Sequence, residues 1–148
     1  MLNLKLNKKS KYIVACSYDA ASMCLLDTVL KENLSIVVCF IDYHSEKSAE
    51  NYSQLSVFCE KKHIKIERFE CEVLNSTSKD EQRIAARDMR YSFFKLAYDK
   101  YEAAGLFVAH NQDDLLESYL LRKKDDKSSN GYGWETVSKQ YGMMVYRP

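Results

Sequence analysis

Three acidic side chains close together in the chain have a spacing that suits binding a metal ion or orienting a nucleophile. Glu117 follows Asp113 by four residues and Asp114 by three, so a helix would put all three on one side. His110, at the end of the preceding apolar run, would lie above them. Such a group could hold Mg²⁺ with its waters or orient a nucleophile. Alternatively, acids in a first helical turn only complement the helix dipole, and spacing alone favours that simpler explanation.

The distribution of glycine and proline limits what the rest of the chain can do with phosphate. The 148 residues include 4 Gly and 1 Pro, and none of these precedes Gly105. Glycine lets the backbone approach a phosphate closely and take up positive φ angles. A standard glycine-rich phosphate loop is therefore excluded from the N-terminal part of the chain.

The overall composition points to an ordinary globular chain. Its 22 Lys+Arg nearly balance 21 Asp+Glu, so the net charge of +1 does not indicate a nucleic-acid binder, although a local basic patch stays open. Five Cys without a Cys-x-x-Cys pair argue against a zinc ribbon or a thioredoxin site. An odd thiol count and no signal peptide predict a cytoplasmic location, and no apolar run is long enough to predict a membrane partner.

Hydrophobic periodicity predicts the strands and helices that must position these side chains. We expect strands at 12–16, 35–43, 64–69, 106–109 and 143–147, and helices at about 20–32, 49–62, 80–104 and 111–122. The 35–43 stretch is almost continuously apolar, as in a strand that is covered on both faces. The alternation predicts one α/β domain over residues 1–148, with a mostly parallel twisted sheet of about five strands and helices on both faces.

The remaining segments are predicted to connect these elements. Residues 1–11 form a basic lead-in, and residues 123–133 form a flexible loop rich in charge, Ser and Gly. Gly105 is expected to end the third helix as its C′ residue, and residues 135–140 to form one or two helical turns.

Parallel sheets of this kind place their binding sites beyond the carboxyl ends of the strands. The segments that leave the sheet there are residues 17–22, 42–44 and 110–114. We therefore expect these three segments to lie near one another along one edge.

Two motifs resemble a known family. The segment His110-Asn-Gln-Asp113-Asp114-Leu-Leu-Glu117-Ser matches the His-x-x-Asp-Asp-x-x-Glu-Thr/Ser pattern of the tRNA(Ile)-lysidine synthetases, which are N-type ATP pyrophosphatases of the PP-loop group. Residues 86–94, Ala-Arg-Asp-Met-Arg-Tyr-Ser-Phe-Phe, match the family's Ala-Arg-x-x-Arg-Tyr-x-Phe-Phe helix. Tyr-His at 43–44 and Val-Tyr-Arg-Pro at 145–148 also fit, so the resemblance covers nearly the whole chain.

The resemblance implies an adenine nucleotide alpha hydrolase-like fold and a tRNA-modifying ligase reaction. ATP would adenylate C2 of the wobble cytidine in the CAU anticodon of tRNA(Ile), and lysine would then displace AMP to give lysidine. The implied cofactors are ATP and Mg²⁺, and the implied partners are this tRNA and lysine. Backbone amides, Mg²⁺ and arginine would stabilise the charge on the phosphates.

The resemblance also assigns roles to individual side chains. The implied catalytic residues are Asp113, Asp114, Glu117, Arg87 and Arg90. Asp113 and Glu117 would also be the Mg²⁺ ligands. The implied ATP-binding residues are Ser17, Tyr18, Asp19, Ala20, Ala21, Ser22, Ile41 and His110. The implied tRNA contacts are Arg122, Arg147 and His44, and the alternative for each arginine is a solvated helix face.

The phosphate loop departs from the family's pattern. The family has Ser-Gly-Gly-x-Asp-Ser between the first strand and the first helix, whereas residues 17–22 read Ser-Tyr-Asp-Ala-Ala-Ser. We expect Tyr18 to add bulk where the ligand should pass and Asp19 to repel pyrophosphate, while Ala21 removes the family's acidic residue. The amides and the dipole of the helix N-terminus would still attract an anion weakly.

Two other functions stay open at this point. One is a catalytically impaired or truncated synthetase remnant that acts as a non-catalytic α/β binding module. The altered loop suggests it, as does the end at Pro148, where the family usually continues into domains that grip the tRNA acceptor stem. The other is a structural or regulatory α/β protein unrelated to tRNA, for which both motifs would be coincidental. The oligomeric state is open as well, a homodimer included.

Overall fold

Strands and helices alternate along the chain as the periodicity predicts. The computed structural model describes residues 6–71, 79–109 and 137–148. Its elements are β1 (Lys11–Ala15), α1 (Ala20–Lys31), β2 (Ser35–Asp42), α2 (Glu46–Lys61), β3 (Lys65–Glu70), α3 (Lys79–Lys100), β4 (Gly105–Phe107), β5 (Val137–Gln140) and β6 (Met143–Tyr146). The helix and loop predicted at 111–122 and 123–133 lie outside the described residues.

The strands of the described residues form one six-stranded sheet in the order β3-β2-β1-β4-β6-β5. Four neighbouring pairs are parallel, and only the β5–β6 pair within the described sheet is antiparallel. The predicted fold class, a mostly parallel α/β sheet, is confirmed. The five parallel strands correspond to the five predicted ones, and β5 adds a sixth at the edge.

Successive side chains of each strand point to opposite sides, so both faces of the sheet are apolar. Helices cover both of these faces. Tyr12 and Val14 of β1 pack with α1 and α2, where Leu26 and Leu55 are fully buried. Ile13 lies on the other face with α3. Among the described helices, none is both long and apolar enough to cross a bilayer.

Each of the three described helices is followed by a residue other than glycine in the left-handed region. Asn33, His63 and Glu102 have φ values of 56°, 58° and 50°, just after α1, α2 and α3 respectively. This conformation is usually taken by glycine at the C′ position. The chain has no glycine in these places, so polar residues take it at a cost of about 1 kcal/mol each.

Gly105 does not end the third helix, and that prediction was wrong. Glu102 takes the left-handed position, and Gly105 opens β4 instead. An added Cβ on Gly105 would lie 2.3 Å from Tyr146 Cε2, so the residue is needed for close packing between β4 and β6.

The helical turns predicted over residues 135–140 are also wrong for the part that the structure describes. Residues 137–140 form β5, which pairs with β6 through a turn at Tyr141 and Gly142, with φ values of 52° and 76°. Two consecutive positive φ angles are the mark of a tight two-residue hairpin whose twist matches its strands. The hairpin thus completes the sheet beside β4.

Candidate functional site

The loop that follows β1 lies at the carboxyl edge of the sheet, where the strands of its parallel part end. β1 leaves the sheet at Ala15, and the chain crosses to α1 through residues 17–19. β2 pairs with β1 in parallel and ends at the same edge, at Asp42. Asn51 of α2 donates a hydrogen bond to the Ser17 carbonyl oxygen at 3.4 Å, which ties the second helix to this loop.

The backbone of the 17–22 loop has a shape that usually requires glycine. Tyr18 has a φ of 66°, in the left-handed region. Its ring is half-buried and packs against the core on the α1–α2 side, so part of its bulk is taken up by that packing. Tyr18 therefore adopts the turn for which a phosphate loop ordinarily uses glycine.

Asp19 occupies the N-terminus of α1. It is the N-cap residue, and its Oδ1 accepts a hydrogen bond from the Ser22 amide at 2.8 Å. Partial burial acts to raise the pKa of Asp19, but the hydrogen bonds from Ser22 and Ser17 outweigh it, so its pKa lies below the usual value. The protein thus places its own carboxylate on an amide that a bound phosphate would also contact.

Ser22 holds the loop together from inside. Its side chain is buried, and its Oγ accepts from the Ser17 amide at 3.2 Å and donates to the Asp19 carbonyl at 3.3 Å. Ser17, Ala20 and Ala21 are exposed at the same edge. The two hydroxyl residues that the chain shares with the family pattern therefore lie on opposite sides of the turn, one inside and one facing solvent.

His44 stands at the end of a second strained turn. It has a φ of 61°, and its amide donates to Asp42 Oδ1 at 2.8 Å. The His44 side chain is exposed at the carboxyl edge, with Nε2 3.9 Å from Glu70 Oε2. Ile41, just before this turn, is buried on the α3 side of the sheet.

An ion pair that was not predicted from the sequence supports the His44 turn. Asp42 is buried, and its Oδ2 accepts from Arg68 through Nε at 3.0 Å and through Nη2. Burial acts to raise the pKa of Asp42, but the hydrogen bonds from His44 and Arg68 keep it below the usual value. The signal available was an acid at the end of an otherwise apolar strand, where a buried charge needs a partner.

Two arginines that were predicted to contact substrate are buried where α3 meets the β5–β6 hairpin. Arg87 and Arg147 are both about 95% buried, and both donate to Gln140 Oε1, at 3.0 Å and 3.5 Å. Arg147 also donates to the Tyr91 hydroxyl at 2.6 Å. The alternative that Arg87 lies on a solvated helix face is therefore wrong. Its predicted catalytic role and the predicted tRNA contact of Arg147 stay predictions.

The other predicted site residues differ in what can be said of them. Arg90 is half-buried on α3, one turn after Arg87. Five more lie outside the described residues, namely His110, Asp113, Asp114, Glu117 and Arg122. Within residues 6–71, 79–109 and 137–148, no three His, Cys, Asp or Glu side chains come together as metal ligands would.

Comparison with known proteins gives consistent matches along the whole chain. A family model described as a PP-loop domain matches residues 1–148. The chain is 32% identical to a tRNA(Ile)-lysidine synthase of Mycoplasma mycoides over 146 residues, which are 97% of this chain and 36% of that synthase. It is 33% identical to one of Staphylococcus aureus, covering 92% of this chain and 33% of the relative. The chain thus spans about a third of the length of these relatives.

Proposed function

The chain belongs to the PP-loop domain family, and from that premise we propose that it is the ATP-using part of a tRNA(Ile)-lysidine synthase. The relatives named above carry that activity in their names, and this chain matches them along nearly its whole length. The reaction proposed here is the joining of lysine to the wobble cytidine of tRNA(Ile) with a CAU anticodon.

The proposed chemistry has two displacement steps. The C2 oxygen of the cytidine attacks the α-phosphorus of ATP, and pyrophosphate leaves. The lysine amine then attacks C2, AMP leaves with that oxygen, and the amine gives up a proton. Both steps build charge on phosphate oxygens, which backbone amides can stabilise when they are already in position.

The observation that carries the proposal is the backbone of the 17–22 loop. It joins the end of β1 to the start of α1 at the carboxyl edge, and Tyr18 has the left-handed φ of 66°. The free amides and the dipole of a helix N-terminus attract anions. We propose that the pyrophosphate end of ATP binds here, although the sequence of the loop has changed.

The Asp19 side chain must move aside before pyrophosphate can bind at the 17–22 loop. Its carboxylate already accepts from the Ser22 amide at 2.8 Å, and its charge has the same sign as pyrophosphate. In the proposed mechanism, ATP displaces the Asp19 side chain towards solvent. Asp19 is exposed, so its side chain borders the solvent into which it would move.

The remaining parts of the site belong to the proposal as well. Mg²⁺ would bind at Asp113 and Glu117, and Asp114, Arg87 and Arg90 would act on the reacting groups. tRNA contacts are proposed for His44, Arg122 and Arg147. Lysine as the second substrate, a homodimer and a cytoplasmic location stay predictions.

AMP release tests the proposed function. The 148-residue chain is incubated with ATP, Mg²⁺, labelled lysine and a tRNA(Ile) transcript with a CAU anticodon. We expect AMP release that depends on the tRNA, together with label in the RNA. A transcript with uridine at the wobble position serves as the substrate control and should give neither product.

A pair of variants in α1 connects this activity to the loop. Ser22→Ala removes the hydroxyl that accepts from the Ser17 amide, so we expect slower AMP release. Thr28→Val removes a hydroxyl that only bonds the Cys24 carbonyl within the same helix, and should leave the rate unchanged. Absence of AMP and of labelled RNA with the unmodified chain would overturn the proposal and leave the non-catalytic binding module.

A further inference from the structure

Three lysine side chains surround one tyrosine ring at the amino edge of the sheet, the edge opposite the 17–22 loop. Nζ of Lys65 lies 5.3 Å from the centroid of the Tyr101 ring, and Nζ of Lys11 and of Lys100 each lie 5.4 Å from it. Ammonium groups at this distance are attracted by the electron-rich faces of aromatic rings. We call Lys11, Lys65, Lys100 and Tyr101 the basic surface.

The fold brings these four residues together from distant parts of the sequence. Lys11 opens β1, Lys65 opens β3, and Lys100 is the last residue of α3, with Tyr101 directly after it. Parallel strands begin at the same edge, and α3 runs back to that edge over one face of the sheet. β1 and β3 are separated by β2 alone, so the two strands run about 10 Å apart.

The basic surface has more positive than negative charge. Glu67 accepts from Lys100 Nζ at 2.8 Å and from the Tyr101 hydroxyl. These two hydrogen bonds lower the pKa of Glu67, so its carboxylate stays ionised and offsets one of the three ammonium charges. The side chains of Lys11 and Lys65 are exposed, and that of Lys100 is 60% exposed. The excess charge therefore faces solvent.

We propose that the basic surface binds the phosphate backbone of RNA. Its cations lie on open surface, and a chain of regularly spaced phosphates can contact several such cations at once without an enclosing pocket. The overall charge of +1 is no obstacle, because binding depends on charge that is concentrated in one place. The choice of RNA as the partner rests on the proposed function, in which tRNA is the substrate.

This contact differs in kind from the one at the carboxyl edge. The amino edge is separated from the 17–22 loop by the length of the strands, about 15 Å for the five residues of β1. A tRNA is long enough to extend past both edges. The basic surface would therefore hold the body of the RNA and leave the reacting base to the other edge.

The test measures how RNA binding changes with salt. A fluorescent tRNA(Ile) transcript is titrated with the 148-residue chain at several salt concentrations, and the affinity is plotted against salt on logarithmic axes. For the double variant Lys11→Gln with Lys65→Gln, we expect binding about tenfold weaker and a slope reduced by about two. Glu67→Gln should have the opposite effect and tighten binding, because it removes the carboxylate that offsets Lys100.

Lys139→Gln is the control for position. Lys139 is an exposed lysine on β5, the outer strand on the side of the sheet away from β3, so its replacement removes one positive charge far from the basic surface, against two in the double variant. An affinity and a slope that stay the same in the double variant, or that fall equally in the Lys139 control, would overturn the proposal. Binding to anionic lipid vesicles in place of RNA would do so as well.

The two experiments distinguish RNA binding by the basic surface from the lysidine reaction. Loss of salt-dependent RNA binding in the double variant, without AMP release by the unmodified chain, would support the basic surface and contradict the lysidine reaction. AMP release that depends on tRNA, with no change of RNA affinity in the double variant, would contradict the basic surface alone.

Discussion

At the scale of single residues, the candidate phosphate loop keeps a shape that its sequence no longer favours. Tyr18 adopts the left-handed conformation that glycine adopts freely, at a cost of about 1 kcal/mol. The sequence predicted that the loop was altered and that Asp19 would disfavour a phosphate. It could not predict that Asp19 caps α1 through the Ser22 amide, because capping depends on where the helix begins, and helix boundaries are poorly defined by sequence.

Replacing Asp19 by asparagine should tighten ATP binding about tenfold. Asparagine caps helices about as well as aspartate, so α1 should keep its N-terminus while the negative charge near the phosphates disappears. Calorimetric titration with MgATP measures the change. Asp27→Asn is the control, since it removes an exposed charge from the same helix about two turns away. Equal affinities for the unmodified chain and the Asp19 variant would show that the carboxylate does not compete with ATP.

At the scale of elements, the strands and helices with strong apolar periodicity were predictable, and the hairpin was not. β2 is buried along seven of its eight residues, and such a continuous apolar run defines a strand without reference to its neighbours. β5 alternates between exposed and half-buried residues and contains Ser, Lys and Gln, so its own sequence favours no strand. It is a strand because β6 offers it a hydrogen-bonding edge, which is a property of the assembled sheet.

Buried hydrogen bonds join the hairpin to α3, and removing one hydroxyl oxygen measures what they contribute to the free energy of unfolding. Tyr91→Phe removes the hydroxyl that accepts from Arg147 Nη2 at 2.6 Å and keeps the ring that packs on Phe94 and Tyr141. We expect a loss of about 2 kcal/mol in the free energy of unfolding, since a buried charged donor loses an acceptor. Urea unfolding measures it.

Tyr141→Phe provides the comparison for this effect. The Tyr141 hydroxyl donates to Asp88 on the surface at 2.5 Å, so its removal makes the same chemical change where water can replace the bond. A loss below about 1 kcal/mol is expected there. A larger loss for the exposed hydroxyl than for the buried one would contradict the role given to Tyr91.

At the scale of the whole molecule, the sheet separates two chemically different ends and two buried layers. The 17–22 loop lies at the carboxyl edge, and the basic surface lies at the amino edge. Cys16 and Cys59 are buried in the layer with α1 and α2, and Cys39 and Cys71 in the layer with α3. Cys16 and Cys39 each follow an apolar run in the sequence, but the layer to which each thiol belongs follows from strand register.

Thiol labelling should therefore report on both layers at once. The five cysteines are free, and Cys24 is the exposed one. Burial raises the pKa of Cys16 and Cys39, and raises that of Cys59 to about 11, which slows their reaction further. We expect one fast equivalent of a thiol reagent in the native protein, lost in Cys24→Ser, and four that react only on unfolding. A second fast equivalent would show that one layer opens.

The position of β6 has a consequence for how the protein is made. β6 is the last described strand in chain order, yet it lies inside the sheet between β4 and β5. During synthesis, β1 to β4 can leave the ribosome and pair while β6 is still untranslated. In that interval, the edge of β4 that later pairs with β6 has no partner strand. Because β6 must then return across the residues between Phe107 and Met143, this closing step has a larger loop entropy to overcome than the hairpin turn beside it. Newly made chains would be most prone to aggregate in that interval.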